Sequence, residues 1–258
     1  MTERVRGLAA SYQPPDFAHV PDPDAALFLC AVDHHTGYAA AHEVDGRGPF
    51  EGSELLWEAG LRSERGRPGL LTASGLAEIG ADDVAEVFRV DDETVADPER
   101  RAGLWRDLAA GLLRDYSGSA SELLAASAGR LAGAGGVLAR LREFEAYADP
   151  LAKKSFLFAK IAERRGWLRV QDPEAWEVSA DNVLMRLALR SGLVEPGERD
   201  AVRAATRGAF KRLALEADIS PPVLDDLLWE LGRDDPDLLG SEAGDLREPP
   251  RAPDSPWY

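Results

Sequence analysis

The stretch WEVSADNVLMRLALRSGLV, residues 176–194, poses the question on which both fold and function turn. From Asn182 onward it reads as an apolar helix that stops at Gly192. One acidic residue, Asp181, stands at its mouth. A carboxylate there has an ordinary use: it accepts hydrogen bonds from free backbone amides and complements the positive end of the helix dipole. It also has a chemical use, because a carboxylate fixed by the packing behind it can be held over a substrate.

Working outward, the same punctuation recurs. SPPVLDDLLWELG gives a helix with Ser220 as cap, Pro221 at its first position, Leu224, Leu227, Leu228 and Leu231 at helical spacing, and Gly232 as stop. ERDAVRAATRGAFKRLALEAD precedes it, and DPLAKKSFLFAKIAERRGW runs from an Asp-Pro pair to a stop at Gly166. Toward the N-terminus, DPERRAGLWRDLAAGLLRDY offers Asp97 as cap, Pro98 as first residue and a stripe of Leu104, Leu108, Leu112 and Leu113. GADDVAEVFR sets Val84, Val87 and Phe88 on one face, and Ser53 is the expected cap of a helix over 54–61. SASELLAASAGRLA and GVLARLREFEAY continue the pattern, with the Gly-rich GRLAGAGGVLAR as a helix break. AALFLCAV is helical up to the break at Gly37. No sustained alternation marks a sheet, and short strands are expected only near WLRV or YAAAHEV. The fold class is therefore mostly α: a single multi-helical domain over 23–233, a Pro-rich arm or loop over 1–22, and an acidic Pro-rich tail over 234–258 anchored by Trp257 and Tyr258.

Composition narrows the function. The 258 residues carry a formal net charge of -16 and are 45% hydrophobic, which describes a folded acidic protein. Such a field repels polyanions, so duplex DNA is a disfavoured partner. No apolar run approaches the roughly 20 residues of a membrane helix, and the first residues lack a secretory apolar core. Cys30 is the single cysteine, which excludes an intrachain disulfide and fits a reducing, cytoplasmic setting. Four histidines and one cysteine without HExxH or CxxC spacing provide no metal set, and no phosphate loop, GxGxxG or GxSxG occurs, so no cofactor is implied.

Four constellations remain. Asp33-His34-His35 is either a polar turn at a helix end or a carboxylate that holds the hydrogen-bonding edge of a base, with Tyr38, Phe50 and Trp57 as rings that could stack on it. Lys153-Lys154 puts two cations at a helix start, against the dipole, which suits an anion or a substrate there. Asp181 and Asp225 are each either first-turn acids or site carboxylates.

The order LFLCAVDHHTGY, YSGSASELL, FEAYADPLAKKSFLFAKIAERRGW, VSADNVLMRLALRSGLV, SPPVLDDLLWELG resembles the queuosine salvage family, over roughly residues 25–233. That family releases a deazaguanine base from its nucleotide by cutting an N-glycosidic bond. The second half is also similar to the archaeal 8-oxoguanine DNA glycosylases of the helix-hairpin-helix superfamily, through KKSFLFAKI, DNVLMRLALRSGLV and ISPPVLDDLLWELG. Both resemblances imply a mostly helical fold and place Asp181 at the catalytic aspartate. They place Lys153 or Lys154 at the lysine that opens the corresponding helix and forms a Schiff base in the DNA enzymes. Asp225 falls on an aspartate of the last helix, and Asp33 on one with a base-recognition role in the salvage family. Where both families carry Asp-Tyr-Arg, this chain has Asp181-Asn182-Val183. The expectation is an N-glycosidase for a modified purine or deazaguanine base, first of all a hydrolase that salvages a queuosine-type nucleoside 5'-monophosphate. Asp181, Lys153 and Lys154 would do chemistry. Asp33, His34, His35, Tyr38, Trp57 and Asp225 would bind substrate. A DNA glycosylase for oxidised guanine and a non-catalytic nucleotide-binding relative are the alternatives.

Overall fold

A computed structural model describes residues 1–241, 248–250 and 255–257. Among them are twelve α-helices and one two-stranded antiparallel hairpin. The helices are α1 (Thr2–Ala9), α2 (Pro23–Val32), α3 (Gly52–Gly66), α4 (Ala73–Leu76), α5 (Ala81–Val87), α6 (Pro98–Asp115), α7 (Ala120–Ala126), α8 (Val137–Leu141), α9 (Lys153–Arg164), α10 (Asn182–Arg190), α11 (Arg199–Ala217) and α12 (Pro221–Asp234). Strands β1 (His42–Val44) and β2 (Arg47–Phe50) form the hairpin, inside the YAAAHEV region and its sequel; WLRV forms no strand. The packing divides the chain into two compact units, Met1–Asp16 with Asp172–Asp254, and Phe17–Gln171 with Ser255–Tyr258.

The larger unit is built around α2. Every residue from Ala25 to Val32 is buried, which requires partners on all sides of this helix, and α3, α6, α7 and α9 supply them. Asp22 caps it, accepting from the Ala25 amide at 2.8 Å. The Tyr147 hydroxyl and the Trp105 indole donate to its Leu27 and Phe28 carbonyls. At Gly60, α3 lies so close to α2 that an added Cβ would sit 2.5 Å from Leu29 Cδ2. Trp257 belongs to this unit and donates to the Glu145 carbonyl at 3.4 Å; Tyr258 lies outside the described residues.

The smaller unit packs α1, α10, α11 and α12 around Leu184, Leu187, Phe210, Leu224, Leu227 and Leu228. The expected arm over 1–22 thus contains a helix: α1 buries Val5 in this core, and Arg6 donates to the Ala217 carbonyl at 3.2 Å. Local composition gave no sign of it, because the apolar partner of α1 is supplied by α11 and α12.

Several expected details differ. Ser53 sits inside α3, and Glu51 holds the cap position without a side-chain bond. Asp97 and Ser220 hold cap positions but accept no capping hydrogen bond. Leu113 is 45% exposed, because the inward stripe of α6 runs through Arg101, Trp105, Leu108 and Leu112 instead. Gly232 does not stop α12; its missing side chain admits Leu187, whose Cδ1 would be 2.6 Å from a Cβ there.

Candidate functional site

In the larger unit the C-terminal end of α2 meets the first turn of α9. Helix ends leave carbonyls without intrahelical donors, and here Lys154 Nζ donates to the Ala31 carbonyl at 2.6 Å. The start of α9 tolerates two lysines because Asp149 lies beside it: its carboxylate accepts from the Leu151 and Lys153 amides, both at 3.0 Å. Helical spacing puts Lys154 on the face of Phe158 and Ile161 and buries it to 1% exposure, while Lys153 stays half-buried.

His34 follows α2 and lies between the donor groups of Lys154 and Arg101. Its Nδ1 is 3.1 Å from Lys154 Nζ and its Nε2 is 3.3 Å from an Arg101 guanidinium nitrogen. Arg101 also donates to the His34 and His35 carbonyls. Burial, reinforced by Lys154 and Arg101, drives His34 far below the usual histidine range, so the ring is neutral. A neutral imidazole offers one donor and one acceptor nitrogen, and both of its neighbours here carry N–H donors. Burial, with help from Lys153, holds Lys154 well below the usual lysine range. Arg101, pushed down to about 10 by burial, remains charged.

Asp33, one residue before His34, turns to α3. Both of its oxygens lie 2.7 Å from Ser53 Oγ, and Trp57 Nε1 donates to Oδ2 at 3.2 Å. Ser53 and Trp57 are four residues apart and share a face of α3. The structure thus brings Asp33, His34, Trp57 and Lys154 into one neighbourhood. His35 is exposed with φ 34°, and the Tyr38 hydroxyl is turned to the Phe88 carbonyl at 2.6 Å, where burial raises its pKa.

In the smaller unit, Asp181 caps α10: its Oδ1 accepts from the Leu184 amide at 2.9 Å. Oδ2 has no hydrogen-bond partner among the described residues. Asp225, on α12, does not stand in open space. Its Oδ1 accepts from the Ser179 amide at 2.9 Å, two residues before Asp181. From α11, Arg203 Nε donates to the Ala180 carbonyl at 3.1 Å.

Arg101, Arg203 and Ser53 were missed as site residues. The two arginines carried a signal. Arg101 is in register with Trp105, Leu108 and Leu112, and Arg203 with Phe210 and Ala214, so each cation lies on an inward face and is buried. Ser53 carried none, since a serine near a helix start suits a cap equally well.

Among the described residues no group of three histidine, cysteine, aspartate or glutamate side chains is gathered to hold a metal ion, and no helix is long and apolar enough to cross a membrane.

The mostly helical architecture matches the fold of endonuclease III. Endonuclease III, in a structure of a trapped covalent intermediate with DNA in an estranged-adenine complex, superposes with a TM-score of 0.57, covering 90% of this chain and 83% of that one at 10% identity. At that identity the likeness is one of fold. No family model and no curated protein matches the sequence, so the resemblance to queuosine salvage rests on motif order.

Proposed function

We propose that the chain is an N-glycosidase, hydrolysing the bond between a sugar and a modified purine or deazaguanine base in a nucleoside or 5'-monophosphate. The observation that carries this reading is the division of labour within Asp181: Oδ1 is spent on the Leu184 amide, and Oδ2 is left unengaged at the mouth of α10. The fold and the motif order support it.

Cleavage of an N-glycosidic bond sends the bonding electron pair to the base and leaves positive charge on the sugar ring. A fixed carboxylate stabilises that charge, and water supplies the new oxygen at the anomeric carbon while its proton passes to the carboxylate. Asp181 takes this role. Within the larger unit, Asp33 is a carboxylate that Ser53 and Trp57 hold in place, suited to hydrogen-bonding the edge of a base. Lys153, at the start of α9 in that unit, is a cation suited to a phosphate. Lys154 is assigned to the scaffold, since its amine is committed to Ala31 and His34.

The test is base release. Purified protein is incubated with purine and deazapurine nucleosides, their 5'-monophosphates, and oligonucleotides that contain oxidised guanine, and free base is read by mass spectrometry. The expected result is release from a monomeric substrate, abolished in Asp181→Asn. Unchanged release by that variant would overturn the assignment. The likeness to a DNA-bound endonuclease III favours a second reading, a DNA glycosylase; release from oligonucleotides alone would establish it. No release from any substrate would leave a binding protein.

A further inference from the structure

We propose that Arg203 and Asp225 are positioning residues that act through Asp181, an inference that rests on the N-glycosidase reading and deepens it. The residues before Asp181 lie in no helix or strand, with Val178 and Ala180 buried. Chain outside regular structure has no ladder to satisfy its backbone polar groups, so the buried ones must find partners elsewhere. Three helices supply them in turn. Asp225 on α12 accepts from the Ser179 amide, Arg203 on α11 donates to the Ala180 carbonyl, and α10 closes the series with Met185 and Leu184 amides on the Asp181 carbonyl and carboxylate. Asp225 and Arg203 are 6% and 2% exposed, so both bonds are made away from water.

The same face of α11 continues the hold. Arg207 and Lys211, four and eight residues after Arg203, both reach Glu177, at 3.3 and 2.7 Å. The helix therefore runs alongside the segment from 180 back to 177. A carboxylate at the end of a backbone pinned at consecutive residues has little freedom to drift. A displacement of about 1 Å at a reacting group costs on the order of 100-fold in rate. Asp225 was expected to touch substrate; its Oδ1 accepts from the Ser179 amide of the chain that leads to Asp181.

The test has an arm that does not need turnover. Hydrogen exchange of the full-length protein is compared with Asp225→Ala and Asp225→Asn, the second of which still offers a side-chain oxygen to Ser179. Faster exchange across residues 179–184 in Asp225→Ala, restored in Asp225→Asn, is expected. Unchanged exchange there would overturn the positioning role whatever the activity does. With a substrate that releases base, Asp225→Ala is expected to lower kcat about 10- to 100-fold with KM within about threefold, while Asp225→Asn recovers most of the rate. Raised KM with kcat intact would instead make Asp225 a substrate contact. Absence of base release by the wild-type protein would sink the glycosidase reading alone, since exchange reports the positioning independently. Arg203→Met, compared with Arg203→Lys, repeats the comparison from α11.

Discussion

Lys154 Nζ lies 3.1 Å from Nδ1 of His34, although the two residues are 120 positions apart in the chain and both are buried. Arg101 stands at the other ring nitrogen, so a neutral imidazole is held between two N–H donors in a buried site.

Stability should fall on acidification because of His34. Its folded value is driven far below the ordinary value of about 6.5, so below that pH the unfolded chain binds a proton that the native state refuses. The sign is a loss of stability as pH falls, at about 1.4 kcal/mol per pH unit for one proton. Denaturant unfolding between pH 7.5 and 4.5 should show this slope reduced by about that amount in His34→Gln. Parallel profiles for the two proteins would mean that His34 already carries its proton in the native state.

Lys154→Met should cost about 1–3 kcal/mol, because the Ala31 carbonyl loses its donor and His34 Nδ1 loses its partner in a buried site. Urea midpoints at neutral pH measure it. A variant as stable as wild type but unable to release base would move Lys154 from the scaffold to the chemistry.

Two substitutions at Asp181 separate its capping from the catalytic role proposed for it. Asparagine caps a helix about as well as aspartate, so Asp181→Asn should melt within a few degrees of wild type, whereas Asp181→Ala should lose about 1 kcal/mol of stability. Both should be inactive in base release. Equal destabilisation by the two substitutions would show that the carboxylate charge, and not the Leu184 hydrogen bond, sustains the fold there.

Gly60→Val should destabilise by about 1–3 kcal/mol, since α3 has no room for a side chain against Leu29 and Phe88. The Asp33 contacts to Ser53 and Trp57 depend on the same approach of α3 to α2, so Trp57 fluorescence should change with it. An unaltered melting temperature would show that Leu29 yields its place freely.

What the sequence determined by itself was what a helix period and its punctuation can carry. The spacing of Leu224, Leu227 and Leu228 fixed the inward face of α12, Gly166 and Gly192 marked where α9 and α10 end, and Asp181 was legible as a cap because capping spans only three residues. Only the tertiary structure decided which polar groups meet. Ser53 left the cap for Asp33, Lys154 rather than Lys153 turned inward, Arg101 reached His34 across 67 residues, and Asp225 reached Ser179 across 46. The reason is physical. Helical periodicity is a local property of the backbone, whereas a buried donor is satisfied by whichever acceptor the packing of distant helices sets within about 3 Å of it.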